Sequence, residues 1–355
     1  VEGTSTPISR AELQLAARNH GMPLEALRYD VTPVGLHYLL IHYDIPAVDA
    51  MSWRLDVGGC VARELLLSLD DLRGRPAVTA AVTMECAGNG RAALEPHIVS
   101  QPWLLEAVGT GEWTGARVVP LLEEAGLRDD AVEVVFRGID RGVEGGEQQS
   151  YERSLTLEQL AAADPILAYE LNGAPLPPQH GYPLRLVVPG WYGMTNVKWL
   201  EAVTAVAEPF EGYQQARSYR FREHEDDPGT PVTLMVPRAL MVPPGIPDFI
   251  TRQRTVAAGA AVGLEGRAWS GWGAITEVAV SADGGATWAA ADLEPTGGPA
   301  AWCAWRFSWT PPGPGSYELC CRARDDAGNV QPLEPEWNVG GYANNAVQRV
   351  AVVAT

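Results

Sequence analysis

The stretch that most constrains this chain is the apolar run Val78–Val82 together with the nine residues after it, Thr83-Met84-Glu85-Cys86-Ala87-Gly88-Asn89-Gly90-Arg91. A β-prone run that opens directly into small residues predicts a strand ending in a tight turn, with Cys86 at or just past the strand end. A free cysteine is by default a small buried hydrophobe, so its place on a turn is what makes it a candidate for chemistry. Gly88-Asn89-Gly90-Arg91-Ala92-Ala93 also reads as G-x-G-x-x-A after a strand, the outline of a dinucleotide-binding loop. Such a loop needs a helix that opens at the glycines and packs back on the sheet. Pro96 and Pro102 arrive before that helix can form, which argues against a nucleotide cradle.

With 355 residues, 46% of them hydrophobic, the chain can build the cores of two domains. A net charge of −18 argues against nucleic acid, whose binding requires basic surface to displace counterions. The acidity has two readings, simple solubility or the steering of a basic partner such as a small cytochrome. No apolar run reaches the ~18 residues of a membrane span. Val1–Ser5 shows no basic-then-apolar export pattern, which leaves the compartment open. The five cysteines, Cys60, Cys86, Cys303, Cys320 and Cys321, are odd in number and lack C-x-x-C spacing, so they define neither a disulfide framework nor a zinc site. The histidines lack H-E-x-x-H spacing, and there is no G-x-S-x-G or Walker loop.

Cys86-Ala87-Gly88-Asn89 followed by Arg91 resembles the motif of the sulfite oxidase family of molybdenum enzymes, in which this cysteine is the protein's ligand to the metal; a soft thiolate is a reasonable donor to a redox-active transition metal. A second block is similar to the same family over about thirty residues: Ala168-Tyr169-Glu170-Leu171-Asn172-Gly173, then His180-Gly181-Tyr182-Pro183-Leu184-Arg185-Leu186-Val187-Val188-Pro189-Gly190, then Val197-Lys198-Trp199-Leu200. His180, Arg185 and Lys198 bring three potential cations to the ends of short apolar strands. That suits a phosphate-bearing cofactor, which is held by charge-assisted donors on rigid elements. Gly193-Met194-Thr195-Asn196 stands where the family usually has Gly-x-Arg.

The resemblance extends from about Thr32 onward and implies roles for single residues. After Thr32-Pro33, Leu40 falls where the family has a substrate-binding arginine and His42 where it has a histidine that contacts the pterin. The earlier Arg18-Asn19-His20 repeats the family triplet but in the wrong place, within the short helix predicted by the Ser9-Arg10-Ala11-Glu12 capping box and stopped at Gly21. Arg91 matches a family arginine, while its neighbour in the family is Gly90 here. Trp103 matches an active-site tryptophan and Asp140 a residue lining the site. Tyr219 matches a tyrosine whose hydroxyl reaches the centre, with Tyr213 as its rival, and Arg349 matches a C-terminal arginine reaching the substrate pocket. Against these stand plainer readings: a strand histidine for His42, a solvated arginine for Arg91 or Arg349, a core tryptophan, a turn aspartate.

Local patterns predict a short helix over Leu65–Leu72, helical spacing over Val118–Ala125, and a strand from Val132 ending at Gly138-Ile139-Asp140. A capped helix is predicted from Thr156, closed by Asp164-Pro165, and Asp226–Pro231 reads as a linker. Beyond it, short alternating strands begin. Val278 and Val280 lead into the turn Asp283-Gly284-Gly285. Cys303, Trp305, Phe307 and Trp309 share one strand face; Tyr317, Leu319, Cys321 and Ala323 share another, which puts Cys320 and Cys321 on opposite sides. The expected fold is α+β: a molybdopterin-binding domain over 1–231, then an immunoglobulin-like β-sandwich of the family's dimerisation type over 232–355.

The resemblance thus implies an oxidoreductase with a molybdenum–molybdopterin cofactor on Cys86, catalysing two-electron oxygen-atom transfer and passing electrons to an external acceptor such as a cytochrome c. No haem-binding C-x-x-C-H motif occurs. Sulfite is the family's default substrate. Leucine cannot replace the bidentate fork of an arginine, so Leu40 opens the alternative of a non-sulfite substrate. A third reading is a metal-free interaction protein, disfavoured because Cys86, Arg91, His180, Arg185 and Lys198 are all retained.

Overall fold

The computed structural model describes residues 8–294 and 297–355. The Val1–Ser5 stretch lies outside them. Two sheets form the first domain. One is mixed, in the order Leu65–Leu67, Leu55–Gly59, Leu200–Val206, Glu133–Glu144, Glu147–Thr156, with Leu55–Gly59 running parallel to Leu200–Val206. The other is antiparallel, Ala77–Glu85, Val108–Arg117, Ile166–Leu171, Ala174–Pro175, with Arg185–Val187 also on Ile166–Leu171. Apolar faces of both sheets and of the Val118–Ala125 helix close one core around Leu55, Val57, Phe136, Leu167, Leu186 and Val203. Burial of that apolar area is the main force holding the domain together.

Arg238–Met241, Val262–Trp269, Cys303–Trp309 and Asp292–Glu294 form one layer of the second domain. The other runs Ile246–Pro247, Arg254–Val256, Gln348–Ala354, Gly315–Asp325, Ile275–Ser281, Ala289–Ala290. Trp305, Trp309, Leu319, Cys321, Val350 and Val352 interdigitate between them, so the predicted alternation and the sandwich are both present. Cys320 and Cys321 are free.

Local predictions fare unevenly. Val118–Ala125 is a helix, and Thr156 caps Leu157–Ala163 through a complete capping box. The helix expected over Leu65–Leu72 is instead a strand, Leu65–Leu67, with Leu65 and Leu67 buried and Leu66 exposed; Ser68 then caps a short helix, Leu69–Arg73. Three consecutive leucines fit either period, and the serine cap decides where the helix begins. The strand expected to stop at Asp140 continues to Glu144, with a register shift between Arg137 and Arg141. Such a bulge re-aims a side chain without ending the strand. The N-terminal helix covers Arg10–Arg18 and ends before Gly21, because Asn19 turns extended and His20 pairs with Leu39. Its buried residue is Glu12, bonded to His97 at 2.9 Å, while Leu13 and Leu15 stay exposed. The supposed linker is partly ordered: Thr230–Pro231 pairs with Arg220–Phe221.

Candidate active site

Cys86 follows the last residue of the Ala77–Glu85 strand and its amide bonds the carbonyl of Ala107 on the next chain segment. A turn then follows, Asn89 N–H to Cys86 C=O at 2.9 Å, and after Gly90 only a single 3-10 turn, Arg91–Ala93, is formed. A dinucleotide helix is therefore absent here, as the prolines require. Gly88 has a steric reason: a Cβ there would lie 2.6 Å from the Arg91 guanidinium, which folds back over the turn.

In front of the thiol lies a cavity. Its walls include Cys86, His42, Asp140, His180, Arg185, Lys198 and Tyr219, seven of the residues expected from the sequence, drawn from five separate segments. Leu40, Met84 and Met194 line it too. His42 bonds the Tyr219 hydroxyl through Nε2 at 2.5 Å and packs against Tyr151 with ring centres 4.7 Å apart. Of the two rival tyrosines, Tyr219 borders the cavity and Tyr213 does not. Tyr219 holds φ at 43° and Trp199 at 48°, left-handed conformations that cost a bulky residue free energy and that cluster at functional sites.

Lys198 donates from Nζ to the carbonyls of Leu40 (2.7 Å) and Gln179 (3.3 Å) and lies 4.4 Å from the Trp199 ring centre. Arg185 donates to the carbonyls of His180 and Asn196, both at 3.1 Å, and stacks over Trp113 at 4.7 Å. Its Nε has no partner within the described residues. These are cations held by neutral carbonyls and rings, and their proton affinities register the lack of an anion. Burial first, and then the neighbouring charges, bring Lys198 down to about 7, Arg185 (by burial) to about 10, His180 to about 2 and His42 to about 3. Asp140, the one cavity carboxylate among the described residues, is pushed up to about 6 by burial against the pull of Lys198, and its Oδ1 is buried with no partner among them.

Burial likewise raises the Cys86 thiol, while the Arg91 charge, the Gly88 N–H and the Trp103 indole favour the thiolate. Among the described residues Trp103 Nε1 has no partner of full hydrogen-bond geometry. A thiol in this setting ionises when a metal cation meets it. Unpaired donors, surplus positive charge and a soft sulfur at one end together fit a phosphate-bearing pterin that carries a metal.

Three expected residues stand outside the cavity lining: Trp103, beside the thiol, and Arg91 and Arg349. Arg91 is buried beside the cavity, and its guanidinium is taken up by the Gly340 carbonyl (2.9 Å), Ser100 Oγ (3.2 Å) and the Gln101 carbonyl (3.3 Å). It acts on Cys86 through its charge. Arg349 is corrected outright: it lies on the sandwich strand Gln348–Ala354, paired with Glu318 at 2.7 Å and Glu334 at 2.9 Å. Two carboxylates fill its fork and it does not border the cavity. The misplaced triplet serves as a strut, with Asn19 Oδ1 accepting from the Ile41 amide and Arg18 donating to the Tyr43 carbonyl, which fixes the segment carrying His42.

Sequence reasoning missed His37, Tyr38 and Tyr151 in the wall, and a clasp from the second domain. There Ala343 N–H bonds Ala87 C=O and Asn344 Nδ2 bonds Gly90 C=O, both at 2.7 Å, while Tyr342 stacks between Arg91 (5.3 Å) and Tyr219 (5.2 Å). His37 and Tyr38 stand in the segment already matched around His42, so an apolar-aromatic run there was the available signal. Nothing local marks residues 338–344 as reaching a site some 250 positions earlier in the chain.

Residues 42–214 match the oxidoreductase molybdopterin binding domain and residues 245–355 match the Mo-co oxidoreductase dimerisation domain, in line with the cavity and the two-domain architecture. The chain is 36% identical to mitochondrial sulfite oxidase of Rattus norvegicus over 342 residues, 91% of this chain and 61% of that protein. It is 34% identical to sulfite oxidase of Gallus gallus, covering 90% of this chain and 72% of that one. It therefore spans about three-fifths of the length of the rat relative. The sulfane dehydrogenase SoxCD from Paracoccus pantotrophus has the same fold over all of this chain and 89% of its own, with a TM-score of 0.81 at 26% identity. The chain belongs to the sulfite oxidase family, whose cofactor is molybdenum–molybdopterin.

Proposed function

We propose that this protein oxidises sulfite, or a close oxyanion of sulfur, by two-electron oxygen-atom transfer. In balanced form, sulfite and water give sulfate, two protons and two electrons, and the electrons leave singly to an external one-electron acceptor such as a cytochrome c. The bound molybdenum would supply the exchange of the oxygen atom and electron pair. The chain's own residues bind and orient. Cys86 is the protein's thiolate ligand, and His180, Arg185 and Lys198 hold the phosphate-bearing pterin, with His42 and Asp140 at its edge. Trp103 packs on the thiol side, Tyr219 faces the substrate, and the Arg91 charge favours the Cys86 thiolate. The carrying observation is the cavity that unites Cys86 with the buried cations Arg185 and Lys198, neither of them in an ion pair, and with the neutral imidazole of His180.

We further assign the second domain to pairing with a second copy of the chain, on the strength of its match to the dimerisation domain. The chain's net charge of −18 suits a basic redox partner. Among the described residues no helix is long and apolar enough to cross a membrane. The test is molybdenum per chain and sulfite turnover with a dye acceptor, for wild type and Cys86→Ser. Near-stoichiometric metal and sulfite-dependent reduction, both lost in the variant, are expected. A metal-loaded wild type inert toward sulfite would overturn the substrate, and a metal-free, folded wild type would overturn the reaction class.

A further inference from the structure

Arg153 is a buried guanidinium with no acid to answer it. It lies on the Glu147–Thr156 strand two residues from Tyr151, so both side chains share a face, and Tyr151 lines the cavity. Arg153 is 2% exposed. Nη1 donates to the backbone carbonyl of Gln214, Nε has no partner, and no carboxylate among the described residues lies within ion-pair distance. Glu144, the acid nearest in the bonded network, is engaged by Tyr43 (2.9 Å) and the Gln214 amide (2.6 Å) and is not paired with the arginine. What surrounds the charge instead is aromatic: Tyr219 with its ring centre 5.8 Å away, and Tyr151 and Tyr342. On the far side of Tyr342 stands Arg91, also without a carboxylate, 5.3 Å from that ring. Two unneutralised guanidiniums thus bracket a pair of tyrosines, one of which opens onto the cavity.

A buried charge left unpaired is costly to keep, and fixed charge behind a low-dielectric wall focuses potential into the space in front of it. Leu40 gives the cavity wall no charge of its own at that position. We propose that Arg153, acting through Tyr219, is the positioning charge that makes the tyrosine end of the cavity a seat for the substrate's oxyanion group. This deepens the proposed function and rests on it for the identity of that anion.

The test uses the molybdenum-loaded full chain and inorganic sulfate, whose binding needs no turnover, measured by titration calorimetry beside sulfite kinetics. Arg153→Met, with metal content unchanged, is expected to weaken sulfate binding and raise KM for sulfite on the order of tenfold, with kcat altered far less. Arg153→Lys guards against a folding defect. It should restore most of the affinity at neutral pH, then lose it as rising pH deprotonates the buried ammonium, a loss the arginine protein does not share. The titratable groups facing this position are Tyr151 on its own strand and Tyr219 and Tyr342 from the packed segments; burial carries Tyr151 and Tyr219 well above the usual phenol range, so they stay protonated through the range in which a buried lysine titrates. Sulfate affinity and KM unchanged in a metal-loaded Arg153→Met, or matching pH profiles for the lysine and arginine proteins, would overturn the proposal. Wild type that binds sulfate but leaves sulfite unoxidised would sink the substrate reading and leave Arg153 as the anion's charge.

Discussion

Cys86 stands between two buried polar regions that are wired differently. Behind it, in the seam between the domains, the Glu85 carboxylate meets Arg238 at 2.8 Å and the Trp269 indole at 2.9 Å, while Asn89 bonds Glu85, the Leu105 carbonyl and the Ala107 amide. In front of it, in the cavity, Lys198 and Arg185 find carbonyls, rings and the Met84 sulfur, His180 lies edge-on to the His37 ring, and Asp140 Oδ1 and His37 Nε2 find no partner among the described residues. Both regions are removed from water, so the contrast is not one of exposure. Hydrogen-bond satisfaction alone does not divide them, since Arg238 Nε also lacks a partner among the described residues; a buried charge that meets its opposite fixes structure, and one that meets none is held ready for a ligand. The seam builds the turn, and the cavity uses it.

The hardest way to break this contrast is to remove the group that belongs to both sides. Cys86→Ser should leave the seam and the fold intact yet abolish molybdenum retention and sulfite-dependent dye reduction, as read by elemental analysis and assay. Next in size is the seam itself. Arg238→Met strands the Glu85 carboxylate, and losing one partner of a buried pair typically costs about 3–5 kcal/mol. A lowered denaturation midpoint of the apoprotein is therefore expected, along with metal loss caused by the displaced turn. An unchanged midpoint would mean that the pair adds little to the fold.

How much of this could be read from the chain divides along the same line. The cavity residues were legible because each belongs to a short contiguous pattern: Cys86 to its small-residue turn, His180, Arg185 and Lys198 to one block of thirty residues. The seam was not, because Glu85, Arg238 and Trp269 meet only in three dimensions and each reads alone as an ordinary residue. Arg349 shows the converse. A matched position suggested a site residue, but side-chain reach is set by local partners, and Glu318 and Glu334 hold it on the sandwich. Leu65–Leu67 failed for a local reason, since three leucines carry no period and only Ser68 marks where helix begins.

A smaller change sharpens the comparison by removing charge from the cavity alone. Lys198→Met should deplete bound cofactor several-fold while leaving the apoprotein as stable as wild type or more so, because a buried ammonium without an anion opposes folding. The same mutation in a structural ion pair would destabilise, so apoprotein melting and molybdenum content measured side by side separate the two kinds of region.

The finest test is pH. His37, His42 and His180 are neutral in the fold down to about 4, 3 and 2, chiefly because burial disfavours their charged forms. In the unfolded chain each takes up a proton near 6.5. Below that value protons bind the unfolded state preferentially, so apoprotein stability falls as pH drops from about 7 toward 4. Asp283, on a sandwich turn, works over a different window: hydrogen bonds from Thr287 and Ser281 hold it down at about 2, so its contribution is complete above 3.8 and is lost only as pH falls toward 2. An anionic cofactor in the cavity raises the folded proton affinity of the histidines it touches and leaves Asp283 alone. Melting temperatures from pH 7 to 4 should therefore slope steeply for apoprotein and shallowly for loaded protein. Equal slopes would mean that the cavity's cations are not what the bound group answers.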